Sequence, residues 1–345
     1  MKARDQIVRA TGSVPAVALF GKLSKQFPLA VLYHGVSARG NFDGNENYRG
    51  KHVPVEEFRK QMIWLAKHFQ IVPLAEIETM VLERRKPKKP YCAITFDDGY
   101  RNNFENAWPI LKELGLSATI FITTGFLDEK RPLWVDHLEY AINMSRTQSF
   151  ALSWPEGEKK YSIGTTAEKI AADAEIRERL KKISDFGRNQ LLDELVNQTG
   201  ARLSTVLDNQ PDYAPLSWDQ VREMAARGIT FGAHTINHPI LSRLPKDQQE
   251  KEIAESIERI KAEIGECRHF AYPNGQLGDW NAETVEILRS QGIMTAWTTE
   301  MRRVNPLRDE SFALPRIAMD NSWKNRRFEA LASNALPFIK HILKM

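Results

Sequence analysis

Cysteine is scarce in this sequence, since Cys92 and Cys267 are the only two among 345 residues. Two isolated cysteines exclude a disulfide framework, and we expect both to be buried free thiols. No stretch approaches 18 consecutive apolar residues, which predicts no membrane-spanning helix. The apolar run Val14 to Phe20 lacks the length and the cleavage site of a signal peptide. We therefore expect an amphipathic first helix and a cytoplasmic protein, with peripheral membrane association as the alternative.

Charge of one sign is not in large excess either. The chain has 48 Lys and Arg against 44 Asp and Glu, a formal net charge of +4. The one dense basic cluster, residues 84 to 89, precedes a predicted strand and is typical of a solvated loop. The composition therefore does not favour a nucleic-acid partner. A chain of 345 residues can bury a large core, as one big domain or as one domain with an insertion.

Two adjacent carboxylates end one strand-like stretch of the chain. Residues 91 to 95 are uncharged and strand-like, and Asp97, Asp98 and Gly99 follow shortly after. Adjacent like charges repel, so one carboxyl has its pKa raised unless a cation compensates. Residues 103 to 114 predict a helix, which places both acids at the carboxyl end of a strand, where α/β folds carry their chemistry. The alternative is a turn in which one acid caps the next helix.

A pair of histidines follows a second short apolar strand. Residues 229 to 233 lead into His234, and His238 comes four residues later. If residues 235 to 238 form one helical turn, both imidazoles lie on one face and can share a metal ion. With Asp98 they would form a common three-ligand set that leaves a position for water, and Asp97 would stay free as a base. Two histidines at this spacing are otherwise typical of a solvated helix face.

These segments resemble motifs of the polysaccharide deacetylases, the NodB-homology group of carbohydrate esterase family 4. Thr95-Phe-Asp-Asp-Gly99 is similar to the first motif and His234-Thr-Ile-Asn-His238 to the second. Residues 270 to 275 resemble a variant of the third motif, and residues 314 to 317 stand where the fifth would be. The resemblance extends over residues 28 to 126 and 215 to 318.

Strand and helix patterns alternate on both sides of a central region, which predicts parallel strands with right-handed crossovers. We therefore expect an α/β fold, a distorted and incomplete (β/α)7-type barrel, which the resemblance also implies. Its two parts are residues 28–126 and 215–320, and residues 127–214 form an insertion of a hairpin and helices. Residues 1–27 are expected to be an N-terminal helical segment and residues 321–345 a C-terminal helix.

The resemblance implies metal-dependent removal of N-acetyl groups from an amino-sugar oligo- or polysaccharide. Asp97 would be the general base. The metal ligands it implies are Asp98, His234 and His238. Zinc is the expected metal, with cobalt, nickel or manganese as alternatives, because zinc lowers the pKa of bound water to about 7. In this family a backbone N–H of the third motif stabilises the oxyanion, which assigns Tyr272 and Asn274 to the oxyanion and substrate site.

Two positions depart from the family pattern. Ala271 stands where the third motif usually has an Arg that pairs with the base, and Arg316 is the candidate substitute, or else a plain surface ion pair. The fifth motif lacks its usual His acid. His34 is the candidate acid, as in the subset that resembles poly-N-acetylglucosamine deacetylases, or else a structural residue. Trp134 and Asp136 of the insertion are candidates to line a sugar groove, with ordinary packing as the alternative for Trp134.

Other functions remain open at this point. If Arg316 and His34 do not replace the Arg and the His that the motifs lack, the protein would be a catalytically weak, metal-containing glycan-binding protein. A third hypothesis is an amidohydrolase that acts on a small-molecule amide. The Gly- and Asn-rich loop of residues 40 to 50 and the insertion favour an extended sugar substrate. A phosphatase is disfavoured because the acids lack an Asp-x-Asp spacing and no phosphate-cradling Gly loop is present. The sequence predicts no oligomeric state.

Overall fold

The computed structural model describes residues 27–319, together with Phe328 and Ala332. The helices predicted within residues 1–27 and 321–345 lie almost entirely outside this part of the chain. Within it, none of the helices combines the length and the apolar character that a transmembrane span requires. Both cysteines are buried and free, as expected.

Twelve strands occur in the described residues. In chain order they are β1 (Leu29–Tyr33), β2 (Gly35–Ser37), β3 (His52–Pro54), β4 (Gln70–Ile71), β5 (Tyr91–Phe96), β6 (Thr119–Ile122), β7 (Ser149–Trp154), β8 (Gly157–Ser162), β9 (Thr230–Ala233), β10 (Phe270–Ala271), β11 (Ala296–Trp297) and β12 (Ile317–Ala318). Eight of them form one sheet in the order β11-β10-β9-β6-β5-β1-β12, with β4 beside β5. All neighbours in this sheet pair in parallel, which requires a crossover between successive strands.

Helices provide most of these crossovers. The α-helices of the described residues are α1 (Val55–His68), α2 (Leu74–Leu82), α3 (Trp108–Glu113), α4 (Thr124–Asp128), α5 (Trp134–Asn143), α6 (Thr166–Leu180), α7 (Asp185–Thr199), α8 (Trp218–Ala225), α9 (Lys246–Ile264) and α10 (Ala282–Ser290). Short 3-10 turns cover Leu203–Thr205, Leu207–Asn209 and Leu241–Arg243. The predicted helix over residues 103 to 114 begins with a π-helical turn, Asn103–Ala107, before α3.

Helix ends follow local capping chemistry. Ser217 caps α8 in a reciprocal pair with Gln220, and Gly265 ends α9 in the left-handed conformation. The polar, charged stretch of residues 166 to 196 forms two helices, α6 and α7. Thr165 caps the first, because its side chain accepts the Glu168 N–H, and Ser184 caps the second.

The curled sheet has two buried faces. Alternate strand residues pack on opposite sides. Ala30 and Ala93 belong to a core cluster that includes residues of helix α2, whereas Val31 and Ile94 belong to the large core under the other helices. At the open edge, Leu314 pairs with Trp297 of β11, and three residues later β12 pairs with β1. The segment therefore spans the gap between the two end strands. This arrangement confirms the distorted, incomplete barrel and brings the carboxyl ends of the strands around one mouth.

The insertion folds around a hydrophobic core of its own, built from α5, the β7–β8 hairpin, α6 and α7. Its buried acids hold the Gly- and Asn-rich loop. Asp173 accepts hydrogen bonds from Asn45 and Tyr48, and Glu139 accepts one from the Asn47 N–H. The loop of residues 40 to 50, which favours an extended sugar substrate in the sequence analysis, is therefore anchored against the insertion.

Candidate active site

The two aspartates lie where β5 ends, at the barrel mouth. Both are buried, and Asp98 adopts a backbone φ of +78°, followed by Gly99 at +89°. A positive φ is uncommon for a residue with a side chain and concentrates at functional sites. A Cβ at position 99 would come within 2.8 Å of Ile122. Only glycine therefore fits directly after Asp98.

Asp98, His234 and His238 converge on one point. The Asp98 Oδ1 atom lies 3.7 Å from His234 Nε2 and 3.5 Å from His238 Nε2. Ligand atoms that lie about 2.1 Å from a tetrahedral ion are about 3.4 Å apart, so these separations fit a zinc-sized cation. The same Oδ1 atom is buried and has no hydrogen-bond partner among the described residues. An unpaired buried carboxylate oxygen that faces two imidazole nitrogens is the donor set that a divalent metal would satisfy.

Protonation states in the cluster suit metal binding. His234 donates its Nδ1–H to the Ala271 carbonyl oxygen at 2.7 Å, which leaves the Nε2 lone pair free toward Asp98. Burial lowers the pKa of both His234 and His238, so both imidazoles are neutral at pH 7. Burial also raises the pKa of Asp98 well above its usual range, and the charges of Asp97 and Asp136 add to that effect. A bound cation would offset this cost.

The loop that carries the histidines is not a helical turn, so that expectation is wrong. Thr235 and His238 have backbone φ angles of +67° and +56°. The Thr235 hydroxyl accepts the His238 N–H at 3.0 Å, and one carboxylate oxygen of Glu252 accepts the N–H groups of Ile236 and Asn237, each at 2.9 Å. These hydrogen bonds replace the helical ones, and the two imidazole centroids still lie 4.9 Å apart.

Glu252 is a positioning residue that sequence reasoning missed. It lies in α9 beside the apolar stripe, where the pattern indicates only a solvated face. Its carboxylate also accepts a hydrogen bond from the Asn237 side chain at 2.7 Å. Glu252 and Asn237 are 15 residues apart, one in a helix and the other in a loop. No local sequence pattern therefore predicts their contact.

Replacing Glu252 by Ala is expected to weaken zinc binding about 10- to 100-fold, because partners that orient ligand loops contribute that much to metal affinity. Zinc titration of the metal-free protein measures the effect. Glu255→Ala, an exposed acid of the same helix, is the matched control and should bind zinc like the wild type. Equal affinities for the two variants would show that the Glu252 contacts do not position the ligands.

Arg316 pairs with Asp97 through two parallel hydrogen bonds, of 2.7 and 2.8 Å. Its Nε–H donates to the Thr298 carbonyl oxygen at 3.1 Å. Arg316 is completely buried, which excludes the alternative of a surface ion pair. Burial alone would raise the pKa of Asp97, but the Arg316 guanidinium outweighs it and holds that pKa below its usual value. Asp97 is therefore an ionised carboxylate with a fixed orientation.

His34 follows β1 directly, and the charges of Asp97 and Arg316 both act on its imidazole. Burial lowers the pKa of His34 to about 4, partly opposed by the negative charge of Asp97. Its carbonyl oxygen accepts a hydrogen bond from the Asn103 side chain at 2.8 Å. The imidazole is thus neutral at pH 7 in the resting protein. Its role as an acid stays a prediction and requires that it gain a proton during turnover.

The two residues predicted from the third motif differ in their surroundings. Tyr272 is completely buried, its hydroxyl donates to the Phe312 carbonyl oxygen, and its N–H donates to the Trp297 carbonyl oxygen. Its assignment to the oxyanion or substrate site is therefore wrong, because both of its donors are used in the core. Asn274 has a φ of +59°, and its N–H has no partner among the hydrogen bonds of the described residues. It stays the candidate oxyanion donor.

The two insertion residues predicted to line a sugar groove, Trp134 and Asp136, are both buried. Trp134 is 6% exposed and belongs to the insertion core, with the Arg188 guanidinium 5.1 Å from its ring centroid. The expectation that its face stacks on a sugar is wrong, and the packing alternative holds. Asp136 is buried, forms an ion pair with Lys51 and accepts the Tyr100 hydroxyl at 2.7 Å. Lys51 thereby brings a buried positive charge close to Asp98.

Comparison with known sequences finds related proteins. Residues 84–296 match the family model described as polysaccharide deacetylase. YxkH of Bacillus subtilis (strain 168), whose assignment as a polysaccharide deacetylase is itself provisional, is 24% identical over 313 residues, 90% of this chain and 77% of that protein. A poly-beta-1,6-N-acetyl-D-glucosamine N-deacetylase of Staphylococcus aureus (strain MSSA476) is 32% identical over 118 residues, 32% of this chain and 40% of that protein.

Solved structures share the fold. The deacetylase PplD of Streptococcus pyogenes, in complex with acetate, superimposes with a TM-score of 0.56 at 17% identity, covering 88% of this chain and 96% of that chain. IcaB from Ammonifex degensii gives a TM-score of 0.55 at 19% identity, covering 89% and 97%. At these identities the likeness establishes the architecture alone.

Proposed function

This chain belongs to the polysaccharide deacetylase family, and from that premise we propose that it is a metal-dependent hydrolase that removes N-acetyl groups from an amino-sugar glycan. The observation that carries the proposal is the convergence of Asp98, His234 and His238, with a buried carboxylate oxygen that lacks a partner among the described residues. Zinc is the proposed metal because neutral imidazoles and a carboxylate in this number suit it. When bound, the metal supplies Lewis-acid polarisation and acidifies water.

Asp97 is the proposed general base. Its pKa lies below the usual value because of Arg316, so it is ionised and can accept a proton at neutral pH. The two hydrogen bonds from Arg316 fix the orientation of the carboxylate, which keeps the base aligned with the neighbouring metal ligand Asp98. As Asp97 gains the proton, the positive charge of Arg316 stays buried beside it. Arg316 therefore positions the base and does not itself exchange a proton.

His34 and Asn274 complete the proposed site. The unpaired N–H of Asn274 suits an oxyanion that develops on the acetyl carbonyl, where one such donor contributes roughly 2.7–4 kcal/mol. His34 would deliver a proton to the leaving amine. Because its pKa is about 4 in the resting site, His34 is neutral before attack, so the proton that Asp97 takes from water would have to pass to His34 and from there to the amine nitrogen as the C–N bond breaks.

The proposed substrate is a polymer or oligomer of N-acetylglucosamine. The Staphylococcus aureus relative is named for poly-beta-1,6-N-acetyl-D-glucosamine, although the similarity extends over only 118 residues. The second candidate is a glycan-binding protein with weak turnover, which the substituted motif positions favour. The buried Arg316–Asp97 pair supports the enzyme, because a binder has no need of an oriented buried base.

Acetate release from a panel of N-acetylated oligosaccharides tests the proposal. We expect release from N-acetylglucosamine oligomers, its loss after treatment with a chelator, and its return when zinc is added, because the proposed chemistry would need the Lewis acidity of a bound metal. Metal analysis of the purified protein accompanies the assay. Glycan binding without acetate release would identify the binder, and release that persists in chelator would contradict metal dependence.

A further inference from the structure

The insertion reaches the candidate metal centre through one buried carboxylate, that of Asp136 in α5. The Asp136 side chain is 1% exposed, forms an ion pair with Lys51 and accepts the Tyr100 hydroxyl at 2.7 Å. Tyr100 follows Asp98 by two residues, and its hydroxyl lies within hydrogen-bonding distance of the Asp98 carboxylate. The deacetylase-like motifs include none of Lys51, Tyr100 and Asp136. A single tyrosine side chain therefore connects an insertion residue to a candidate metal ligand.

The Tyr100 hydroxyl can orient Asp98 without occupying the oxygen that a metal would bind. Asp98 Oδ1 faces the two imidazoles and has no hydrogen-bond partner among the described residues. A hydrogen bond from Tyr100 would therefore go to Oδ2, and a donor on that oxygen fixes the direction of the other. Tyr100 is itself completely buried, and its backbone pairs with Pro215. Its ring makes edge-to-face contacts with His52 and Phe126, at centroid distances of 4.9 and 5.6 Å.

Lys51 places a positive charge among these carboxylates. Its ammonium lies 4.9 Å from the ring centroid of Tyr100. Burial alone would lower the pKa of Lys51, but the charges of Asp136, Glu139 and Asp98 outweigh burial and keep the ammonium protonated. Asp136 is the acid that forms the ion pair with it. Because an ammonium group and a metal ion would compete for the same Asp98 carboxylate, this ion pair keeps Asp98 available to a metal.

We propose that Asp136 is a positioning residue of the metal centre, supplied by the insertion. Through Tyr100 it fixes the orientation of the Asp98 carboxylate, and through Lys51 it keeps a competing cation away from that carboxylate. Outer partners of this kind contribute about 10- to 100-fold to metal affinity. The inference rests on the proposed function and adds a role for the insertion, because the barrel without Asp136 would bind its metal more weakly.

Zinc titration of the metal-free full-length protein tests the inference without turnover. Tyr100→Phe keeps the ring and removes the hydroxyl, and we expect it to weaken zinc binding about 10- to 100-fold. Asp136→Asn keeps the shape and removes the charge, so that Lys51 is free to pair with Asp98, and it should weaken zinc binding about tenfold or more. Adding Lys51→Met to Asp136→Asn removes the freed ammonium and should recover most of that loss. A merely structural role of the ion pair predicts a further loss instead.

Asp173→Asn is the matched control. Asp173 is a second buried aspartate of the insertion, it forms an ion pair with Arg177, and it is not among the charges that act on Asp98. It should bind zinc like the wild type.

Equal zinc affinity in the wild type, Tyr100→Phe and Asp136→Asn would overturn the inference, as would an equal loss in Asp173→Asn or a further loss in the double variant. Circular dichroism checks that each variant is folded, and if Asp136→Asn does not fold, the Tyr100→Phe affinity decides by itself. If the wild type still binds zinc and releases acetate, the proposed function stands whatever the variants show. Absence of acetate release from every glycan would instead contradict that function.

Discussion

Asp97→Asn is expected to lower kcat for acetate release about 10²- to 10⁴-fold, the contribution of a positioned general base. Asparagine has the same shape but cannot accept the proton from water. The metal ligands are unchanged, so metal content should equal that of the wild type. Acetate release under saturating substrate and metal analysis of the same sample measure both quantities.

Stability must be separated from chemistry in this variant, because Arg316 loses its charged partner. Removing one member of a buried ion pair typically costs about 3–5 kcal/mol. Asp173→Asn provides the matched control. Asp173 is a buried aspartate of the insertion that also receives two hydrogen bonds from one arginine, Arg177. We expect a similar loss of stability there with kcat largely retained. If Asp97→Asn kept full activity, Asp97 would not be the base.

Asp98→Asn is expected to weaken zinc binding by more than about 100-fold and to remove deacetylation with it. The reason is that one of three ligands is lost, whereas even an outer partner of a ligand accounts for about 10- to 100-fold. Zinc at about 100 times its dissociation constant should stabilise the wild type by about 2.7 kcal/mol, which raises the Tm by several degrees. The variant should show no such rise at the same zinc concentration.

The metal-free proteins give a second and opposite expectation. Because the pKa of Asp98 is raised in the fold, chiefly by burial, its ionised form at pH 7 destabilises the folded state relative to the unfolded chain. The neutral asparagine side chain avoids that cost, so metal-free Asp98→Asn should unfold at the same temperature as the metal-free wild type or higher. A lower Tm would instead support the simpler role of Asp98 as a turn or capping residue.

Local features of this molecule were predictable from sequence. The strands that end before Asp97 and His234, and the alternation of strands with helices, were both predicted from residues within a few positions of one another. Periodicity and capping report short-range physics, and that physics does not change when the chain folds. Element lengths were less predictable, as the short strands β10, β11 and β12 illustrate, because tertiary pairing decides where a strand ends.

Contacts between distant segments were decided only by the tertiary structure. Arg316 reaches Asp97 across 219 residues, and Glu252 holds the histidine loop in a conformation with positive φ angles that no helical pattern predicts. Tyr272 lies within the motif-like segment, yet its side chain is part of the core. There its hydroxyl donates to a carbonyl oxygen 40 residues away in the chain. The residue types of the candidate metal centre were thus predictable from the sequence. The orientation and charge state of these residues depend on burial and on hydrogen bonds between distant segments, which form only in the folded barrel.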